Sequence, residues 1–127
     1  MNIDNLSTSA LSVDNLAVII SPNRQKMGEE AAEAVADRIR QLQQVKQSVN
    51  MIFASAPSQN EFLHYLKEAD GIAWERVNAF HMDEYIGLES DAPQNFATFL
   101  QERLFNHVPI GNFYRINGNV DHVPDEI

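Results

Sequence analysis

The sequence predicts an α/β fold built on a parallel sheet, and three observations carry that prediction. Short apolar runs recur at residues 16–20, 49–54, 77–82 and 113–116. Amphipathic stretches at helical spacing separate them, so the order reads β-α-β-α-β-α-β. Strands alternating with helices imply parallel pairing through right-handed crossovers. The 127 residues, 44% hydrophobic and 21% charged, suffice for one modest domain and not for two.

Residues 1–13 are polar and rich in Ser and Asn, and they read as a flexible N-terminal tail ahead of a domain over 14–127. Leu16-Ala17-Val18-Ile19-Ile20 is continuous rather than alternating, which suits a strand buried on both faces. Ser21-Pro22-Asn23 ends it. A helix follows from Arg24 to about Gln43, with Met27, Ala31, Ala34, Val35, Ile39 and Leu42 at the spacing of one apolar face. Glu29, Glu30 and Glu33 sit early and Arg38 and Arg40 late, as the helix dipole favours.

The second strand is Val49-Asn50-Met51-Ile52-Phe53-Ala54. The turn Ser55-Ala56-Pro57 leads into Ser58-Gln59-Asn60-Glu61, which reads as a capping box. Phe62, Leu63, Leu66 and Ala69 give the next apolar helix face, and Asp70-Gly71 ends it. The third strand, Val77-Asn78-Ala79-Phe80-His81-Met82, runs into Asp83-Glu84-Tyr85-Ile86-Gly87-Leu88. Pro93 opens a helix to about His107, with Phe96, Phe99, Leu100 and Leu104 as its core stripe. Phe113-Tyr114-Arg115-Ile116 forms the fourth strand, and Asn117-Gly118-Asn119 closes it. Pro124, Asp125 and Glu126 resemble the first turn of one more helix. The reading at that point is of an interrupted domain.

Composition narrows the function. With 18 acids against 9 bases the formal charge is −9, and no basic face for nucleic acid can be assembled. Cysteine is absent, which excludes disulfides, thiolate catalysis and Cys-ligated metals. No signal peptide or bilayer-spanning segment is visible, so the expectation is a cytoplasmic chain with no membrane partner.

In open α/β sheets ligands bind outside the carboxyl ends of the strands. That rule selects 55–59, 81–87 and 117–121. Ser55-Ala56-Pro57-Ser58-Gln59 joins a strand to a helix N-terminus and could hold a phosphate on its N–H groups and two hydroxyls. It is equally a plain capped helix, and without glycine it is neither a Walker loop nor a dinucleotide fingerprint. Asp83 and Glu84 follow a buried strand, where a carboxylate can be tuned for general-base work beside a carbonyl. They are equally solvated turn residues or caps. His81 and Asp83 alone do not make a metal ligand set, so no metal is expected. His64 falls on the exposed side of its helix, His107 at a helix C-terminus and His122 in the last loop. Trp74, Tyr85 and Leu88 read as packing residues.

Phe80-His81-Met82-Asp83-Glu84-Tyr85-Ile86-Gly87-Leu88 resembles the Phe-Asn-Met-Asp-Glu-Tyr-Val-Gly-Leu signature of glucosamine-6-phosphate deaminases/isomerases, within the superfamily that also holds 6-phosphogluconolactonases. The likeness continues through Pro93-Gln94-Asn95-Phe96, Leu104-Phe105-Asn106-His107-Val108-Pro109-Ile110 and Ile116-Asn117-Gly118-Asn119. Phe53-Ala54-Ser55-Ala56-Pro57-Ser58 stands in place of the family's Ala-Thr-Gly-Ser-Thr-Pro phosphate loop.

The resemblance implies a Rossmann-like three-layer parallel sheet with helices on both faces, truncated here to the N-terminal portion of one isomerase-like domain. It implies a sugar-phosphate substrate and a homo-oligomer in the full-length form. The implied reaction opens the ring of glucosamine 6-phosphate, moves a proton from C2 to C1, and releases ammonia and fructose 6-phosphate. Asp83 matches the family's proton-abstracting carboxylate, with Glu84 in support, and Ser55, Ala56, Ser58 and Gln59 match the phosphate loop. No metal or organic cofactor is implied, because the substrate carbonyl is the electron sink. Two departures weigh against full activity. Ala56 replaces a glycine, and Pro57 offers no N–H. The family's Gly-x-Gly-x-x-Gly-His segment, with the ring-opening residues, has no counterpart in these 127 residues. The chain alone is therefore expected to show little turnover. A 6-phosphogluconolactonase-like hydrolase and a non-catalytic sugar-phosphate-binding module are the alternative readings.

Overall fold

The computed structural model describes residues 7–119. The final helix start read at 123–126, and His122, lie outside the described residues. Among the described residues five strands form two sheets. β1 (Ser9–Val13) and β2 (Leu16–Ile20) make an antiparallel hairpin. β3 (Val49–Phe53), β4 (Val77–His81) and β5 (Asn112–Tyr114) make a parallel sheet in the order β3-β4-β5. The helices are α1 (Arg24–Val45), α2 (Asn60–Glu68) and α3 (Phe96–Leu100), the last running directly into a π-helical turn, Gln101–Phe105.

The parallel α/β fold stands, but the first apolar run has a different role. Leu16–Ile20 does not join the parallel sheet and is not buried: Leu16 is 65% exposed and Ile19 58%. It pairs instead with Ser9–Val13, part of the segment read as a tail. Val13 faces Leu16 in register, so Asp14 and Asn15 form a two-residue loop, with Asp14 at φ 53°. Tight hairpin turns need positive φ, which Asp and Asn tolerate. Local turn chemistry therefore set this pairing, and a continuous apolar run cannot by itself distinguish the two outcomes. The Ser21 hydroxyl donates to Glu30 of α1 at 2.5 Å, and the Thr8 hydroxyl donates to the same carboxylate, which ties both ends of the hairpin to the helix.

α1 starts where the Asn23 side chain accepts the Lys26 N–H at 2.8 Å. Its buried residues are Gly28, Ala32, Ala36, Ile39 and Gln43. The expected stripe is thus rotated: Met27 is 54% exposed, and Ala31 and Ala34 also face outward. The smallest residues face inward because α2 packs close against them. A Cβ added at Gly28 would lie 2.4 Å from Glu61 Cβ. At the other end no basic residue occupies the last turn of α1. Arg76, from the turn before β4, donates to the carbonyls of Gln43 and Lys46 at 3.1 Å each. Buried Gln43 makes paired bonds to Ala73, donating to its carbonyl at 2.8 Å and accepting its N–H at 2.9 Å.

One face of the parallel sheet meets the helices. Phe53, Val77 and Ala79 join Ala32, Ala36, Ile39, Leu63, Leu66, Trp74, Leu100, Leu104 and Phe105 in a single core. Trp74 is a packing residue, as expected. The opposite face carries two cross-strand rows. Asn50, Asn78 and Asn112 are in register and donate amide to amide at 3.0 and 2.8 Å. Ile52, Phe80 and Tyr114 form the next row, with the Phe80 and Tyr114 rings stacked at 4.9 Å. Ile52 is 69% exposed. The described residues thus supply two of the three layers expected, the sheet and one layer of helices.

Candidate functional site

The loops after β3 and β4 leave the carboxyl edge of the sheet side by side. The Met82 N–H donates to Phe53 O at 3.2 Å, extending the ladder one residue past both strands. Both loops then attach to the first residue of α3. The Ser55 hydroxyl donates to Phe96 O at 3.2 Å. Glu84 accepts the Phe96 N–H at 2.8 Å and the Ala97 N–H at 3.0 Å, and it also accepts the N–H of Tyr85. A carboxylate thereby satisfies the unpaired donors at the head of α3, where the helix field favours negative charge. α3 has no capping side chain of its own, since Asn95 makes no cap bond. Glu84 is an anchor for the loop that carries Asp83.

Asp83 is exposed at the end of β4, next to that anchor. The Tyr85 ring packs on Phe96 at 4.8 Å, so Tyr85 fixes the loop while remaining 49% exposed. Beneath it, the Gly87 N–H donates to Gly118 O at 2.9 Å. A Cβ on Gly118 would stand 1.9 Å from Tyr85 O, so only glycine lets the two segments touch. His81 closes the same junction from inside. Its Nε2 accepts the Ile116 N–H at 2.8 Å, its ring meets Phe113 edge-on at 5.6 Å, and Nδ1 is buried without a hydrogen-bond partner among the described residues. Burial holds the imidazole below its ordinary pKa, with Arg115 adding to the effect and the carboxylates of Glu84 and Asp83 opposing it. His81 is therefore a buried link between β4 and the segment after β5.

The loop 55–59 differs from its expected form. Pro57–Gln59 is a 3₁₀ turn that precedes α2, and neither it nor α2 has a side-chain cap. The capping box does not form. Glu61 pairs instead with Arg24 of α1 at 2.7 Å, which keeps its carboxyl below the usual range. The Arg24 guanidinium also donates to Pro57 O. The Gln59 N–H is spent on Ala56 O at 2.8 Å. With no N–H on Pro57 and that of Gln59 engaged, the turn offers an anion fewer backbone donors than its five residues suggest. The sequence reading missed Arg24, a cation on the rim of this turn. Nothing in local pattern marks it, because its partners lie 33 and 37 residues away.

A cavity of about 290 Å³ lies behind the Asp83 loop, walled by Glu84, Tyr85, Ser90, Asn95, Arg115 and Asn117 among others. Arg115 donates to Ser90 O at 2.9 Å on its wall. Asp83 and the 55–59 loop are not among its lining residues. Among the described residues no three of His, Asp or Glu cluster as a metal would need, and no helix is long and apolar enough to cross a membrane.

No protein-family model matches the chain. Among curated proteins, a glucosamine-6-phosphate deaminase of Phocaeicola vulgatus is 29% identical over 117 residues, 87% of this chain and 44% of that protein. One of Aliivibrio salmonicida is 43% identical over 63 residues, 48% of this chain and 24% of that protein. Among solved structures, a monomeric glucosamine-6-phosphate deaminase aligns with a TM-score of 0.71 at 22% identity, over 82% of this chain and 44% of that one. A 6-phosphogluconolactonase from Shewanella baltica aligns with a TM-score of 0.69 at 15% identity, over 80% of this chain and 42% of that one. The chain spans less than half the length of each.

Proposed function

We propose, from its likeness to glucosamine-6-phosphate deaminases in sequence and fold, that the chain contributes the proton-transfer edge of an amino-sugar-phosphate deaminase/isomerase. The observation that carries this reading is the exposed Asp83 carboxylate at the end of β4, on a loop held to α3 by Glu84 and joined there by the Ser55 loop. Anchoring at both sides is what a general base needs, since proton abstraction depends on a fixed approach to the reacting carbon.

In the proposed reaction the ring-opened substrate presents its C1 aldehyde. The Asp83 carboxylate takes the C2 proton, and the electrons move into the C1 carbonyl to give an enolamine. Return of a proton to C1 leaves an imine at C2, and water hydrolyses it to the ketone and ammonia. Glu84 is a positioning residue in this scheme. Ala56 and Ser58 of the 55–59 turn are the candidates to meet a phosphate, with the Arg24 guanidinium beside them already bonded to Glu61 and Pro57 O, the hydroxyl of Ser55 engaged on Phe96 and the N–H of Gln59 on Ala56. The chemistry needs no metal or organic cofactor.

The test is ammonia release from glucosamine 6-phosphate by the longest form its gene encodes. Asp83→Asn is expected to lower turnover by about a hundredfold or more with little change in substrate binding. No release of ammonia, or Asp83→Asn indistinguishable from wild type, would sink the proposal. The lactonase reading draws on the comparable structural likeness to 6-phosphogluconolactonases. A parallel assay with 6-phosphogluconolactone separates the two, because lactone hydrolysis does not require removal of a C2 proton. Titration of the chain with hexosamine phosphates by calorimetry addresses the binding module: binding without turnover in any form would favour it.

A further inference from the structure

Away from the sheet edge, α2 and the π-helical turn enclose a cleft of about 300 Å³ lined by Asn60, His64, Lys67, Glu102, Arg103 and His107. In a chain of net charge −9, this cleft holds two fixed cations and two imidazoles against one carboxylate. Asn60, His64 and Lys67 are spaced i, i+4 and i+7, which puts them on one face of α2. Arg103 and His107 face them from the other side.

Arg103 is held in place with much of its donor edge unspent. Its Nε donates to Asn60 Oδ1 at 2.7 Å, and the guanidinium carbon lies 3.9 Å from the Phe99 ring centroid. Its carboxylate neighbour among the described residues, Glu102, is 3.9 Å away, at the limit of an ion pair. Lys67 is similar: its side chain is 24% exposed, and its ion-pair partner, Glu68, is also 3.9 Å distant. A guanidinium stacked and bonded in this way loses little further freedom on binding. The His107 Nε2 donates to Glu102 O at 2.8 Å, which leaves Nδ1 to respond to a ligand.

The backbone shapes one wall of the cleft. The Asn106 N–H reaches back to Gln101 O at 2.8 Å, closing a π turn at the C-terminal end of the helix. Here the turn lets consecutive Leu104 and Phe105 both enter the core while Arg103 stays in the cleft.

We propose that this cleft binds the phosphoryl group of a small phosphomonoester, on Arg103, Lys67 and the Asn60 amide, at a site separate from the 55–59 turn. A planar fork, a point charge and an amide donor together match the several acceptor oxygens of a phosphoryl group better than the two of a carboxylate.

The experiment is a ¹H–¹⁵N NMR titration of the 127-residue chain with inorganic phosphate and with phenyl phosphate, against acetate at matched ionic strength. The expected result is saturable shifts centred on Asn60, Lys67 and Arg103 for both phosphates and none for acetate. Lys67→Gln and Arg103→Lys are each expected to weaken that response by about fivefold or more. Ser58→Ala is expected to leave the cleft's response unchanged, which separates this proposal from the one made for the sheet edge. Far-UV circular dichroism establishes that each variant is folded, and either variant alone suffices for the comparison. No saturation at the cleft by about 50 mM phosphate, a contact too weak to matter at metabolite concentrations, would overturn the proposal. Equal shifts with acetate, or unaltered affinity in a folded variant, would do the same.

Discussion

Gly28 looks like a defect in its helix, because glycine in a helix interior costs about 1 kcal/mol relative to alanine. Its surroundings reverse that judgement. The backbone and Cβ of Glu61 occupy the space a side chain at Gly28 would need. Gly28→Ala is therefore expected to destabilise the chain by about 1–3 kcal/mol through overpacking of α1 on α2. Urea denaturation followed by circular dichroism measures it, and a neutral or stabilising result would mean that the helices separate freely. Gly118 is the counterpart beside the Asp83 loop, where Tyr85 O fills the space of a side chain. Residues such as these were visible in the sequence as glycines, but their partners were not.

α3 shows how a short element depends on its neighbours. It spans only Phe96–Leu100 before the π turn, and its head is capped by a side chain from another segment. Removing that cap by Glu84→Ala is expected to cost about 1–2 kcal/mol. Because the same carboxylate fixes the Asp83 loop, the proposed function requires that the variant also lose turnover, whereas Glu84→Gln, which retains an acceptor oxygen, recovers part of both. Thermal melts and the ammonia assay read the two effects separately. The extent of β3, β4 and α2 followed from apolar runs and helical spacing. The hairpin, the rotated face of α1 and the π turn did not. Each reflects contacts between segments far apart in the chain, and periodicity carries no information about those.

At the scale of the molecule, folding is coupled to pH in two windows. Burial lowers the pKa of His81, so its proton must be given up on folding once pH falls below the ordinary histidine value of 6.5. Stability is fully present above that value and declines as pH falls from 6.5 towards the lowered one. The Glu30 carboxyl is lowered chiefly by the Ser21 hydroxyl and then by Thr8, and that of Glu61 by Arg24. Their contribution is present above the ordinary glutamate value of 4.5 and is lost as pH falls through their lowered values. Denaturation midpoints measured between pH 8 and pH 5 are expected to fall on the acid side. His81→Asn, which keeps an acceptor near Ile116, is expected to flatten the curve in that interval. An unchanged slope would show that His81 is not its source.

Alternation of apolar and helical segments was enough to determine a parallel α/β fold. The signature around Asp83 was enough to point to the glucosamine-6-phosphate deaminases that the chain resembles and to mark the segment proposed to carry the chemistry. Both are properties of residues near one another in the chain, where spacing translates directly into a face or a strand end. Tertiary structure decided what each segment meets. It sent Leu16–Ile20 to a hairpin, turned Glu61 from a cap into the partner of Arg24, and made Glu84 the cap of a helix twelve residues on. It also brought Lys67 and Arg103 into one cleft. These pairings depend on how closely two backbones can approach and on which buried donors lack a partner, and both are settled only when the chain is packed.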